Sequence, residues 1–266
     1  MSAALRYEWA RIRSLRSTWW ISGMSVLIPA VLAGLLAASL SAADFEGFDT
    51  VVTGVVLTQG AVFGFPLLLA YLTSLLGVFA FGHEYRHGMV RATLTAVPRR
   101  APVLLAKVVV ITVFVAVLSL ISILVCLLVA LVFGGDLIDS QISVTGQIIG
   151  GVVAYSTLFA LIGLALAAIF RNQIAALVTV LLVPTVVEQI LSVVFVLPDA
   201  LNSAEFITRY LPFDAGSQMY KPRDVLIVND VFGPTPLEPL GGGLVMLIFT
   251  VLLLALAYVL FSERDA

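Results

Sequence analysis

Six long apolar runs occupy most of this 266-residue chain: 19–40, 51–81, 103–133, 148–170, 174–197 and 244–261. A helix needs about 20 mainly apolar residues to cross the hydrocarbon of a bilayer. The last run is short, but Gly241, Gly242 and Gly243 precede it and can lengthen the helix outward. The second and third runs exceed what a bilayer requires, so they should tilt, kink or continue past it. Pro66 in the second and Pro184 in the fifth remove backbone donors and mark expected kinks. The hydrophobic fraction is 61% and only 11% of residues are charged, against about 25% charged in ordinary soluble domains. So apolar a chain cannot bury its surface in one soluble core. The expectation is an all-α membrane protein of six transmembrane helices, folded as a single domain over 1–266.

The basic residues sort to one side of these runs. Arg6, Arg11, Arg13 and Arg16 precede the first. Arg86, Arg91, Arg99, Arg100 and Lys107 lie between or just inside the second and third. Arg171 follows the fourth and Arg264 the sixth. The other side holds Arg209, Lys221 and Arg223, with acids such as Asp44, Asp136, Asp199, Asp214 and Glu238. Lys and Arg in short loops stay in the cytosol. Six spans in a cell membrane with both termini cytoplasmic satisfy this bias. The net charge of −2 gives no case for nucleic-acid binding. The single cysteine, Cys126, forms no intramolecular disulfide and excludes a Cys-based metal site. The Arg-rich start has no early apolar core and does not read as a cleaved secretory signal. The first span is therefore expected to act as an uncleaved anchor.

Residues 2–18 read as an interfacial helix. Leu5, Trp9, Ile12 and Leu15 recur at helical spacing, while Arg13 and the other arginines take other faces. The external stretch 198–240 carries six prolines, too polar to span and too long for a turn. Loops of that length are functional or hold short helices.

His83-Glu84-Tyr85-Arg86-His87 matches the HExxH pattern, in which two histidines on one helical face hold zinc and the glutamate acts as general base. This offers an alternative reading as a membrane zinc metalloprotease. A catalytic zinc needs a third protein ligand, and His83 and His87 are the only histidines. The one acid within a span, Glu188, lies at the other end of the bundle by this topology. Gly88 follows His87 directly and can end the helix.

The whole loop, residues 82–107, is GHEYRHGMVRATLTAVPRRAPVLLAK. It resembles the signature of the type-2 ABC exporter permeases: an acid at the cytosolic end of the second span, a basic residue, a glycine, a helix with Thr-Leu, and a Pro-Arg step into the third span. The matching positions are Glu84, Arg86, Gly88, Thr93, Leu94, Pro98 and Arg99, and Met89 departs from the threonine many members carry. YLPFDAG at 210–216 and PTVVEQI at 184–190 also resemble bacterial members. With the topology, the resemblance covers the whole chain.

The resemblance implies a permease subunit that pairs with a second permease subunit, as homodimer or heterodimer, and binds a cytosolic ABC ATPase. It implies that the loop holds a coupling helix docking on that ATPase through Glu84, Arg86, Gly88, Arg91, Leu94, Pro98, Arg99 and Arg100. Val90, Leu94 and Val97 recur at helical spacing in it. The chain has no GxxxxGK[ST] loop, so ATP and Mg would belong to the partner, with no cofactor on this chain. The cargo would be hydrophobic or amphipathic, a drug, lipid or peptide, as in multidrug efflux. An ATP-independent carrier or channel is the further alternative, and such carriers show charged or broken-helix sites at mid-membrane.

Glu188 sits inside the fifth span, where an acid is costly and faces a partner, a cavity or a pathway. A serine or threonine bond, protonation, or a place at the dimer axis would satisfy it. The span hydroxyls of Tyr71, Thr73, Ser74, Ser156 and Thr157 form no clean stripe and assign no substrate site. Gly150, Gly151, Ala154 and Gly163 suit close helix packing.

Overall fold

A computed structural model describes residues 2–42, 49–86, 100–134, 142–196, 208–222 and 237–263, and every regular element among them is helical. The helices are α1 (Ser2–Ser14), α2 (Arg16–Ser41), α3 (Asp49–Thr58), α4 (Leu68–Arg86), α5 (Arg100–Gly134), α6 (Ile142–Phe170), α7 (Gln173–Leu182), α8 (Glu188–Val196), α9 (Pro212–Ser217) and α10 (Pro239–Glu263). Five stretches are long and apolar enough to cross a membrane: α2, α5, α6, the α7–α8 rod and α10. The protein is a multi-pass membrane protein.

The second apolar run departs from the single span expected over 51–81. It is two shorter helices, α3 and α4, separated by an irregular stretch. The chain turns at Gln59 and Gly60, both at positive φ, makes one 3-10 turn over Ala61–Phe63, and turns again at Gly64. Residues 65–67 are non-helical before α4 begins. Pro66 does more than kink the helix. It lacks a donor and disfavours helical backbone at Phe65, while glycine accepts the left-handed turns without strain. Pro184 acts more mildly: a π-helical turn over Val183–Val187 joins α7 to α8, so the fifth run continues as one rod with a local bulge.

Two other runs extend past their apolar cores, as expected. The third is an uninterrupted helix of 35 residues, about 52 Å long at 1.5 Å per residue. The sixth starts at Pro239 and takes Gly241–Gly243 into its first turns.

α2 and α5 run side by side in the same direction, with the Ser122 hydroxyl donating to the Ser25 carbonyl at 2.7 Å. α4 and α6 also run together, and a Cβ at Gly77 would fall 1.9 Å from the Ala160 carbonyl oxygen. Only glycine permits that approach. The start of α7 meets the end of α4 at Gly82 and Gln173, and Phe81 of α4 packs edge-on against Phe261 near the end of α10. These contacts gather the starts of α2, α5 and α7 and the ends of α4, α6 and α10 at one end of the bundle, the basic end. One apolar core around Phe81, Ile111 and Leu164 lies toward that end. The other, around Tyr155, Phe159 and Met246, fills the opposite half.

Candidate functional site: a polar cavity and a buried ion cluster

Both interruptions of the spans open onto the same place. A cavity of about 250 Å³ lies in the half of the bundle away from the basic end. Gly64–Leu67 of the broken run lines one wall, with Tyr71 from the first turn of α4. Pro184 and Thr185 of the π turn line another, followed by Glu188 and Gln189. Irregular backbone within a membrane domain needs protein or a cavity to satisfy its polar groups, and here two such stretches share one.

The third wall comes from residues 208–222, inside the proline-rich stretch 198–240 of the sequence. This segment folds back against α6 and α10. A Cβ at Gly151 of α6 would meet the Met219 carbonyl oxygen at 2.1 Å, and one at Gly242 of α10 would meet the Ala215 carbonyl oxygen at 2.0 Å. Phe213, Ala215, Gly216 and Ser217 are buried. The segment holds short helix α9, as loops of its length often do. Of the small residues singled out on α6, Gly151 and Gly163 make close approaches, while Gly150 faces open space.

α9 has a start that needs a cap. Leu211 precedes it and offers no side-chain bond, and Pro212 opens the helix. The first amides of a helix have no partner within it. Glu188 supplies one from a different helix: Oε1 accepts from the Phe213 amide at 3.1 Å and Oε2 from the Asp214 amide at 2.9 Å. The carboxylate is 4% exposed. The hydrogen-bonding role anticipated for Glu188 is therefore present, but its partners are backbone amides of the returning segment, with no serine or threonine among them.

Beside this cap, Lys221 lies 3.9 Å from Asp214. Burial pushes the Lys221 ammonium pKa down, and the Asp214 carboxylate opposes that shift. Tyr155 and Tyr220 pack edge to face at 5.3 Å, and Tyr155, Phe159 and Phe213 continue the aromatic wall. Tyr71 is thus part of a site after all, although Thr73 and Ser74 spend their hydroxyls on carbonyls of their own helix. Tyr155 and Tyr220 were not singled out from the sequence, and Asp214 and Lys221 entered only as charges on one side and, for Asp214, within the 210–216 resemblance, because nothing local to them signals that 208–222 returns into the bundle.

A second constellation sits at the basic end. Lys107 is fully buried on α5, and its ammonium has three donors. They reach Glu8 Oε1 of α1 at 2.6 Å, Glu84 Oε1 of α4 at 2.5 Å and the Ala80 carbonyl at 3.1 Å. The same ammonium lies 5.0 Å from the centre of the Phe81 ring. Arg11 adds a 2.8 Å pair to Glu8 Oε2 and approaches Glu84 at 4.0 Å. Two acids and two bases compensate each other away from water, as buried charges must. The cluster ties α1, α4 and α5 together where α4 ends and α5 begins.

This cluster changes the reading of several residues chosen from the sequence. Glu84 is 4% exposed and turned inward to Lys107, so it presents no free carboxylate to a partner. The same engagement occupies the general base that a zinc protease would require, and His83 packs edge-on against Phe79. Arg86 and Arg100 are the last residue of α4 and the first of α5. His87, Gly88, Arg91, Leu94, Pro98 and Arg99 lie outside the described residues. α1 buries Ala4, Glu8 and Ile12 against the bundle. Of the stripe expected there, Ile12 is inside and Leu5 is partly buried, whereas Trp9 is 43% exposed at its edge, with its ring 6.4 Å from Phe114. Arg13 is exposed, and its carbonyl accepts from the Trp19 indole at 2.9 Å.

Comparison with curated proteins finds no match. Comparison with protein families matches residues 4–196, from the buried face of α1 to the end of α8, to one described as ABC-2 family transporter protein. That span holds the ion cluster, the broken second run and Glu188. The chain belongs to the ABC-2 family of transporter proteins and is a permease component of an ABC transporter.

Proposed function

We propose that the chain is the permease subunit of an ATP-driven exporter, working as a pair of permease subunits with a separate cytosolic ABC ATPase that carries ATP and Mg. The basic end faces the cytosol of a cell membrane, with both termini there, a reading supported by the distribution of Lys and Arg. The cargo is hydrophobic or amphipathic. The loop between α4 and α5 docks on the ATPase through its arginines, and Glu84 serves as the internal anchor of that loop.

Family membership over residues 4–196 carries this reading. The Lys107 cluster supports its mechanical part. Glu84 stands two residues before the end of α4, and Lys107 seven residues after the start of α5. A force applied to the loop is thereby passed to α1, α4 and α5 together.

The test is purification of the tagged chain from its native membrane in mild detergent, with identification of the proteins that accompany it. A stoichiometric Walker-motif ATPase, lost when Arg91, Arg99 and Arg100 are changed to serine, is the expected result. No ATPase with the unaltered chain would overturn the reading. Transport by the chain alone in vesicles would instead support an ATP-independent carrier.

A further inference from the structure

We propose that the cavity between the broken second run, the π turn and the returning segment is a binding site for a compact amphipathic organic cation, an ammonium group carrying an apolar body. The proposal names a cargo class for the permease. That the cation is cargo rests on the permease reading, whereas its binding does not.

Charge is the first ground. Among the described residues, Glu188 and Asp214 line the cavity with one base, Lys221, which gives these three a formal charge of −1. The Glu188 carboxylate is met by two amide dipoles, and among the described residues no cation pairs with it. Lys221 stands at 3.9 Å from Asp214, beyond hydrogen-bond length. A carboxylate pair so placed, with low-dielectric walls, attracts a cation.

The walls are the second ground. Phe65, Tyr71, Tyr155, Phe213 and Tyr220 border the same space. Aromatic faces attract ammonium groups electrostatically, and cages of them recognise quaternary ammonium. Their apolar area also suits the body of an amphiphile. A hydrated metal ion would leave the ring faces unused, and a simple ammonium ion would leave their apolar area uncovered.

Size and place are the third. About 250 Å³ is near the lower limit of about 300 Å³ for small-molecule sites, enough for one ring bearing an ammonium group. The site is formed where two spans lose regular helix, the arrangement membrane transporters use to expose backbone polarity to a ligand. Two sources share the chemistry: a free organic cation and the choline head of a lipid.

The experiment is equilibrium binding of radiolabelled benzyltrimethylammonium to the purified full chain in non-ionic detergent, without any ATPase. Neopentylbenzene, the uncharged carbon analogue, and dihexanoyl phosphatidylcholine serve as competitors. The cation is expected to bind, and neopentylbenzene to compete about tenfold more weakly or worse. Asp214→Asn is expected to weaken binding about tenfold. Lys221→Met makes the wall more negative and is expected to tighten binding several-fold, a gain that damage to the fold does not produce. Displacement by the phosphatidylcholine at lower concentration than by free cations would assign the site to a lipid head; weaker displacement would assign it to a free cation. Equal competition by neopentylbenzene, weaker binding in Lys221→Met, or no binding of the cation would overturn the proposal. Each of these leaves the co-purification of an ATPase unaffected, so failure here is distinct from failure of the permease reading.

Discussion

Removing the charge of Lys107 should destabilise the protein out of proportion to the size of the change. Lys107→Met keeps the length and most of the apolar stem but deletes the ammonium shared by Glu8 and Glu84. Breaking a buried ion pair from one side costs about 3–5 kcal/mol, because the remaining charge is left without compensation. The cost here should fall near the lower end, about 3 kcal/mol, since Arg11 stays 2.8 Å from Glu8. Glu84 keeps only the 4.0 Å approach of Arg11 and bears most of the loss. At about 2–4 °C per kcal/mol for chains of comparable length, the melting temperature should fall by about 6–12 °C. Thermal unfolding of the detergent-solubilised chain, followed by exposure of Cys126 to a thiol dye, gives the measurement, since that thiol is buried. Neutralising Glu84 too, in a Glu84→Gln, Lys107→Met variant that leaves the Glu8–Arg11 pair intact, should recover more than half of the loss, because no uncompensated acid then remains. A single variant that melts within about 2 °C of the parent, or a double variant no better than the single, would refute the view that charge compensation holds α1, α4 and α5 together.

Three further outcomes are expected. Gly242→Ala places a methyl group against the Ala215 carbonyl, and overpacking of that kind costs about 1–3 kcal/mol; the melting temperature should drop and benzyltrimethylammonium binding should weaken as the returning segment is displaced. Asn172 caps α7 by accepting from the amides of Ile174 and Ala175, so Asn172→Ala should cost about 1 kcal/mol in the same melt, with cation binding unchanged. Exchanging Arg91, Arg99 and Arg100 for serine should abolish ATPase capture while leaving the melting temperature within about 1 °C, which separates docking from folding.

Most of the architecture was legible in hydrophobicity and punctuation. Run lengths marked the long helices, and Pro66 and Pro184 marked the two places where helix fails. How each would fail was not legible. Pro66 acts with Gly60 and Gly64, which accept left-handed backbone and turn a kink into a break. Pro184 has no glycine near it and yields a π turn. The stripe on α1 was legible in part. Ile12 and Leu5 do turn to the bundle, but so does the acid Glu8, which Lys107 of α5 draws inward. That pairing joins positions 99 apart, and no local pattern announces it. Glu188 was conspicuous as an acid within a span, yet its partners are main-chain amides, which every residue carries and no sequence signature marks.

The length of α5 has a mechanical consequence. Its 35 residues form one unbroken rod that outreaches the hydrocarbon by about 20 Å. Lys107 pins that rod near its first turns, and at the other end Gly34 of α2 packs against Val129 and Phe133. A tilt of about 5° about the pinned end would sweep the far end by about 4 Å, nearly the width of a methylene chain. A displacement too small to disturb the helix itself can therefore open or close the distant half of the bundle, with the ion cluster as the pivot.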